Sequence, residues 1–313
     1  MNQQSEYKEL AKIIDLVSQQ NSLQKKRIRS FIDFQSSEYF KFSENLSSIL
    51  NHHLMKTEDD KVKAASYYNK MCKDFLSAQI QFKKTGKYPV TDAREAQKNV
   101  YNEERVMKYY MIGLLLSYMF WPNHYKLFQF FLNNLPTEKV QSYLEVGVGH
   151  GLFTSNMQKL FPGIDTTIID ISQTSINTAK DVLNAFDIKH DELTFIHGDF
   201  LELPSQKRKF DFVIMGEVLE HVNNGLDFMK KTRDLLNPNG TVFLTTAANS
   251  PALDHVLHFH NVDEIRKMIS DAGLKILTEV AFAAESIPEK DWEKELVTIN
   301  YGAILSHKTK QYE

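Results

Sequence analysis

Two rhythms divide the chain. In the first part, apolar positions recur three and four apart over long polar-apolar stretches. Tyr68, Met71, Phe75, Ala78 and Phe82 show the spacing that lines one helix face. "KKTGKYPVTDA" interrupts the pattern with Gly86 and Pro89. A longer helical stretch then runs from near Asp92 to Trp121, where Pro122 forces a break or a fresh start. From Val140 onward, short apolar runs are separated by helical ones. "SYLEVG", "TTIID", "LTFIHG", "FDFVIMG" and "TVFLTT" read as strands. Between them lie helices with Phe153, Met157, Leu160 and Phe161 on one face, and Ile176, Ala179, Leu183 and Phe186 on another. Strands alternating with helices predict a parallel sheet covered on both faces. A capping box of Asn261 and Glu264 opens one more helix. "LKILTEVAFA" and "LVTINYGAILSH" follow as two strands, read as an antiparallel pair at the sheet edge.

Glycine usage marks the same division. Of 12 glycines, only Gly86 and Gly113 fall in the first 137 residues; the others lie between Gly147 and Gly302. With 313 residues, two domains are expected: 1–137, helical, as a lid or dimerisation surface, and 138–313, an α/β unit. The net charge of −3 gives no reason to seek nucleic acid or a membrane surface. The basic run Lys25 to Arg29 reads as a solvated helix face. Cys72 stands alone, which excludes an internal disulfide framework and a cysteine-built zinc site. The first residues lack a secretory pattern, and "YYMIGLLLSYMFW" falls short of the ~20 residues that span a bilayer. A cytoplasmic location is expected.

Chemistry enters at "LEVGVGHG", residues 144 to 151. Gly147, Gly149 and Gly151 stand two apart after a strand and before a helix, where backbone must turn sharply and approach a ligand. A dinucleotide site spaces its glycines G-x-G-x-x-G; here the spacing is G-x-G-x-G, with Glu145 ahead. An acid there opposes pyrophosphate and suits a ligand carrying ammonium and sulfonium charges, S-adenosylmethionine. The next strand ends agree. Asp170, 19 residues past Gly151, can accept from ribose hydroxyls. Asp199 can accept from the adenine amino group, with Phe200 beside the ring and Ile171 on its other face.

Taken together, "YLEVGVGHG", "IIDIS", "IHGDFLEL", "FDFVIMGEVLEHV" and "GTVFLTT" resemble class I S-adenosylmethionine-dependent methyltransferases, in particular the small-molecule branch with the ubiquinone-pathway enzymes. The resemblance covers about residues 138–283. It implies a Rossmann-like sheet of seven strands, the last antiparallel, with the helical N-terminal part added. It places Glu145 and Gly147 to Gly151 at the methionine moiety, Asp170 at the ribose, Asp199 and Phe200 at the adenine, and Gly216 to Val218, including Glu217, near the methyl group. The resemblance does not place the first 137 residues and says little about the substrate.

Methyl transfer is an in-line displacement that needs a nucleophile held near the methyl carbon with water excluded. Three residues are candidates for the acceptor side. His221, in "GEVLEHV", contacts the acceptor, acts as its base, or packs the turn. His258 belongs to "NSPALDHVLHFHN", a block with Asp254, His255 and His260 that shows no fixed metal geometry, so no metal is expected. Tyr110 comes from an aromatic helix suited to cover the site. The partner expected is a small molecule, without nucleic acid or membrane, with a homodimer as a further expectation. Two alternatives keep the cofactor. One attacks the aminocarboxypropyl carbon and releases methylthioadenosine; the other binds S-adenosylmethionine without catalysis.

Overall fold

A computed structural model describes residues 6–136, 140–204, 208–285 and 287–308. Seven helices precede the first strand: α1 (Lys8–Gln20), α2 (Ser22–Ile32), α3 (Ser37–Ile49), α4 (Glu58–Thr85), α5 (Ala93–Ala96), α6 (Glu104–Phe120) and α7 (Pro122–Asn133). Local chemistry sets their ends. Thr57 and Asp60 form a reciprocal capping box at the start of α4, and Gly86, at φ +67°, ends it. Pro122 occupies the first turn of α7, as the sequence predicts. Helix α6 is apolar nearly all round and lies buried. Gly113 lets α4 press against it: a β-carbon there would lie 2.8 Å from Met71 Sδ.

The continuous helix expected from Asp92 to Trp121 is broken. After α5 the chain makes a wide π-type turn, Gln97–Tyr101, and leaves helical geometry before α6 restarts at Glu104. No glycine or proline marks this break in the sequence; its effect is to deliver Tyr101 to the site described below.

The sheet contains β1 (Ser142–Val146), β2 (Asp165–Asp170), β3 (Thr194–His197), β4 (Phe210–Gly216), β5 (Leu236–Ala248), β6 (Leu274–Ala283) and β7 (Ile299–His307). Their order is β3-β2-β1-β4-β5-β7-β6, with β7 antiparallel to both its neighbours. The edge pair predicted from the last two runs is present, though β7 inserts between β5 and β6. Helices α8 (Leu152–Leu160), α9 (Gln173–Ala185), α10 (Gly225–Leu235) and α11 (Val262–Asp271) make the crossovers. Two expectations need correction. Leu160 is 52% exposed, because α8 ends there and its inner face stops at Met157. The capping box at α11 is only half formed: Asn261 accepts from the Glu264 amide, but the Glu264 carboxylate turns to the His260 amide.

Alternation along β4 sorts the core into two layers. Val213 and Met215 face α10 and α11, joining Leu244, Met229 and Ile265. Phe212 and Ile214 face the other way, into one apolar cluster shared with α6, α7 and α8. That cluster runs without interruption from Leu10 in α1 to Phe243 in β5. The expected boundary at 137/138 falls outside the described residues, yet packing on either side is continuous. Phe131 of α7 stands at the junction, with its ring 4.9 Å from Phe153 and 5.1 Å from Phe243. Phe131→Ala is therefore expected to cost about 3–5 kcal/mol in urea unfolding, in one transition that reports on helices and sheet together. A separate, unshifted transition for the sheet would refute the shared core.

Candidate active site

Strand order reverses between β1 and β4, so the loops after these strands diverge and leave a crevice. The first wall is the glycine loop. Gly147, Gly149 and Gly151 all have positive φ, at +71°, +51° and +78°. At Gly147 a β-carbon would come within 2.7 Å of Val218 Cγ2, so the β1 and β4 loops touch only because this residue is glycine. Gly151 has a different reason: its β-carbon would press on the Ala179 backbone of α9 at 3.0 Å. Gly147 and Gly149 line the cavity; Gly151 faces α9 and does not.

The other strand ends complete this wall. Asp170 closes β2, accepting from the Ser172 amide at 2.7 Å and the Gly149 amide at 3.3 Å. Burial pushes its carboxyl up to about 6. Ile171, 38% exposed, offers an apolar surface next to it. Asp199 caps the short turn after β3, accepting from Leu201 N at 2.8 Å, and Phe200 packs behind it on Phe228. Gly216 lies at the end of β4. Glu217 follows at φ +54°, pinned by its amide to Thr245 O at 3.0 Å.

Glu145 sits elsewhere. It points to the same face as Tyr143, is buried, and accepts from the Tyr143 hydroxyl and Thr154 Oγ1. It is absent from the cavity lining, so the expectation that it lines the methionine moiety is not what the structure places there. Period-two alternation explains this: Val146, next along the strand, is the residue that reaches the cavity.

The opposite side of the cavity is polar at its centre. His221 follows β4 on a short turn, with Nδ1 3.2 Å from the Asp254 carbonyl and 3.3 Å from Asp254 Oδ2. Asp254 is buried and accepts from Tyr110 at 3.0 Å and Tyr101 at 3.1 Å. Tyr110 thus lines the cavity, but its hydroxyl is committed to Asp254. His255 stands edge-on to His221, ring centroids 4.7 Å apart, and burial lowers it to about 4. His258 does not reach the cavity. It stacks on Tyr88 at 4.5 Å, and its Nε2 pairs with Asn249 Oδ1 at 2.9 Å. His255 takes the place expected for His258. Residues from α4 and α6 close the chamber, among them Phe75, Met111 and Tyr118. His150 of the glycine loop also lines it, and burial depresses the imidazole to about 3.

The sequence profile of the family described as "Methyltransferase domain" matches residues 117–279. The mitochondrial ubiquinone biosynthesis O-methyltransferase of Schizosaccharomyces pombe is 32% identical over 107 residues, 34% of this chain and 38% of that protein. Malonyl-[acyl-carrier protein] O-methyltransferase 2 of Ilyobacter polytropus is 23% identical over 148 residues, covering 43% and 55%. The ubiquinone biosynthesis O-methyltransferase of Rickettsia bellii is 31% identical over 122 residues, covering 36% and 48%. The chain spans about half the length of these relatives. Among solved structures, the [4+2]-cyclase SpnF matches with a TM-score of 0.52 at 15% identity, over 71% of this chain and 98% of that one. The Haemonchus contortus phospholethanolamine N-methyltransferase 2 matches with 0.50 at 13% identity, over 71% and 62%. At these identities the structural likeness concerns the fold alone.

Burial holds the Glu145 carboxyl at about 7, above its ordinary 4.5. The native state therefore binds more protons than the unfolded chain between these values, and stability falls as pH rises through that window. The gap corresponds to ~3 kcal/mol at most. Glu145→Gln, which keeps an oxygen for Tyr143, is expected to gain stability relative to the native chain near pH 8 and to lose that advantage below pH 5. A pH-independent difference in urea unfolding would contradict this.

Proposed function

The chain belongs to the methyltransferase-domain family, and on that footing we propose that it is an S-adenosylmethionine-dependent methyltransferase acting on a small-molecule acceptor. The observation that carries this reading is one cavity of about 860 Å³ with two chemically different walls. Strand-end loops form the first wall and carry the glycines and acids suited to a nucleoside. Helices α4 and α6, with Asp254, His221 and His255, form the second.

The residues present fit S-adenosylmethionine. Gly147 keeps the floor free of side chain, and Asp170 retains lone pairs beyond those used by two backbone amides. Asp170, Asp199, Glu217 and Asp254 make the lining acidic, which favours a cationic ligand. When bound, that cofactor supplies a methyl carbon activated by a sulfonium. The chain's own contribution is to position and to exclude water. Asp170 orients the sugar, Ile171 and Phe200 flank the base, and Glu217 with Gly216 shapes the end nearest the acceptor. Tyr110 and Tyr101 hold Asp254, and Asp254 holds the ring of His221 against the acceptor chamber. Phe75, Met111 and Tyr118 cover the chamber, so residues 1–137 act as the lid.

Two substitutions separate these roles. Asp170→Ala is expected to weaken adenosylhomocysteine binding by ~1–3 kcal/mol in calorimetry, the scale of a lost charge-assisted hydrogen bond. Unchanged binding would remove Asp170 from the site. His221→Ala is expected to lower turnover more than cofactor affinity, with adenosylhomocysteine still the product. Accumulation of methylthioadenosine instead would show attack at the other carbon.

A further inference from the structure

The acceptor chamber has a second polar end, away from Asp254. A row of aromatic rings leads to it. Tyr110, bound to Asp254, stacks on Phe75 at 6.0 Å, and Phe75 meets Trp121 edge-on at 5.3 Å. Beyond Trp121 stand Gln24 and Arg27 of α2, one helical turn apart and both on the cavity lining. Arg27 belongs to the basic run Lys25 to Arg29, expected from the sequence to be a solvated face. Within that run it is the one residue that lines the cavity.

Hydrogen bonds settle what this end presents. Trp121 Nε1, which can only donate, donates to the Tyr68 hydroxyl at 3.0 Å. Tyr68 in turn donates to Gln24 Oε1 at 3.4 Å. That fixes the amide: Gln24 is 4% exposed, and its NH₂ group opens on the cavity with no protein partner among the described residues. Arg27 is free as well. It takes part in no ion pair among the described residues, whereas Arg94, the other strong cation of the lining, is bound to Asp92 at 2.8 Å. Burial holds the Tyr68 hydroxyl and the Cys72 thiol above their ordinary values against the pull of the Arg27 charge, so neither neutralises it. Of the lining carboxylates, Asp170, Asp199, Glu217 and Asp254 belong to the strand-end loops, and Glu285 is matched by Lys83 at 2.8 Å.

We propose that Gln24 and Arg27 form a specificity subsite for the acceptor, an apolar molecule of aromatic size that carries a carboxylate at the end remote from its nucleophile. This rests on the methyltransferase reading and adds the acceptor's chemical class to it. A guanidinium matches a carboxylate with two parallel N–H···O bonds, and the Gln24 amide adds a further donor where the chain supplies no acceptor of its own. Phe75 and Trp121 flank the apolar body between the two ends. The charges also orient the molecule: the acidic wall repels its carboxylate and Arg27 attracts it, which turns the nucleophile toward His221.

The test uses the full chain and an isosteric pair, 2-naphthoate and 2-naphthamide, which share one frame and differ in charge. In calorimetry the native chain is expected to bind the naphthoate about tenfold more tightly, the scale of one charge-assisted hydrogen bond. Arg27→Gln should abolish that preference and leave naphthamide binding unchanged, and Arg27→Lys should restore part of it. Arg27 is exposed, so these variants spare the core, and native-like affinity for adenosylhomocysteine certifies the fold. No preference for the naphthoate in the native chain, or one that survives Arg27→Gln, overturns the subsite. Loss of adenosylhomocysteine affinity in Arg27→Gln overturns it too, because Arg27 then holds the cofactor's own carboxylate. Arg27-dependent naphthoate binding in a chain that never binds adenosylhomocysteine supports the oxyanion subsite and sinks the methyltransferase reading.

Discussion

Asp254 joins the helical and sheet parts of this molecule at the point where chemistry is proposed. One carboxylate, 1% exposed, accepts from Tyr101 on the π-type turn, from Tyr110 on α6, and faces His221 beyond β4. A buried carboxylate is tolerable only while its donors are in place, so any displacement of α6 from the sheet strips partners from a group that cannot be left alone. The cover over the cavity is thereby coupled to the orientation of the His221 ring. Apolar packing reinforces this, since Phe128 and Phe131 of α7 and Phe153 of α8 belong to one cluster with Phe243 of the sheet.

Acidity is the second constraint on the cavity. Asp170, Asp199, Glu217 and Asp254 line it, while Arg27 and Arg94 are its only strong cations among the described residues. Glu220 lies beneath, raised well above its ordinary value by burial first and by Glu217 second. Such an arrangement opposes an anionic dinucleotide on elementary electrostatic grounds and rewards positive charge. The proposed nucleoside sulfonium answers that surplus with a positive charge of its own.

Much of this was legible from residue pattern, and the failures have physical causes. Short apolar runs and helical period located every strand of the sheet, because most strands are buried and the edge strand β3 still packs Phe195 and Ile196, half-buried, against the core. Strand ends then brought Gly147, Asp170, Asp199 and Gly216 to one cavity. Glu145 misled because adjacency in sequence hides which side of a strand a residue takes. His258 misled for a similar reason. After His255 the backbone is tied to Glu220 and then bridges from Phe259 to Ala248, so three residues carry the side chain out of the cavity. Tyr101 was invisible, since its turn has no glycine or proline to announce it. The change of rhythm marks where helices give way to strands: periodicity reports secondary structure, whereas packing is continuous, and one apolar cluster holds residues from both parts.

The fold by itself does not choose the reaction. A [4+2]-cyclase and an N-methyltransferase both superpose on this chain, so whatever distinguishes their chemistries lies in side chains that the shared sheet does not dictate. In this chain those side chains come from two places: the turn after β4, and the loop after β5 that its backbone captures. The wall proposed for the nucleoside is built from strand ends and is a consequence of topology. The acceptor wall depends on a few hydrogen bonds, Glu220 to Val256 and Leu257 and Asp254 to two tyrosines, that could be rearranged without disturbing a single strand. On the proposed function, specificity for the acceptor is held by contacts of low topological cost, which is where members of one fold can diverge most readily.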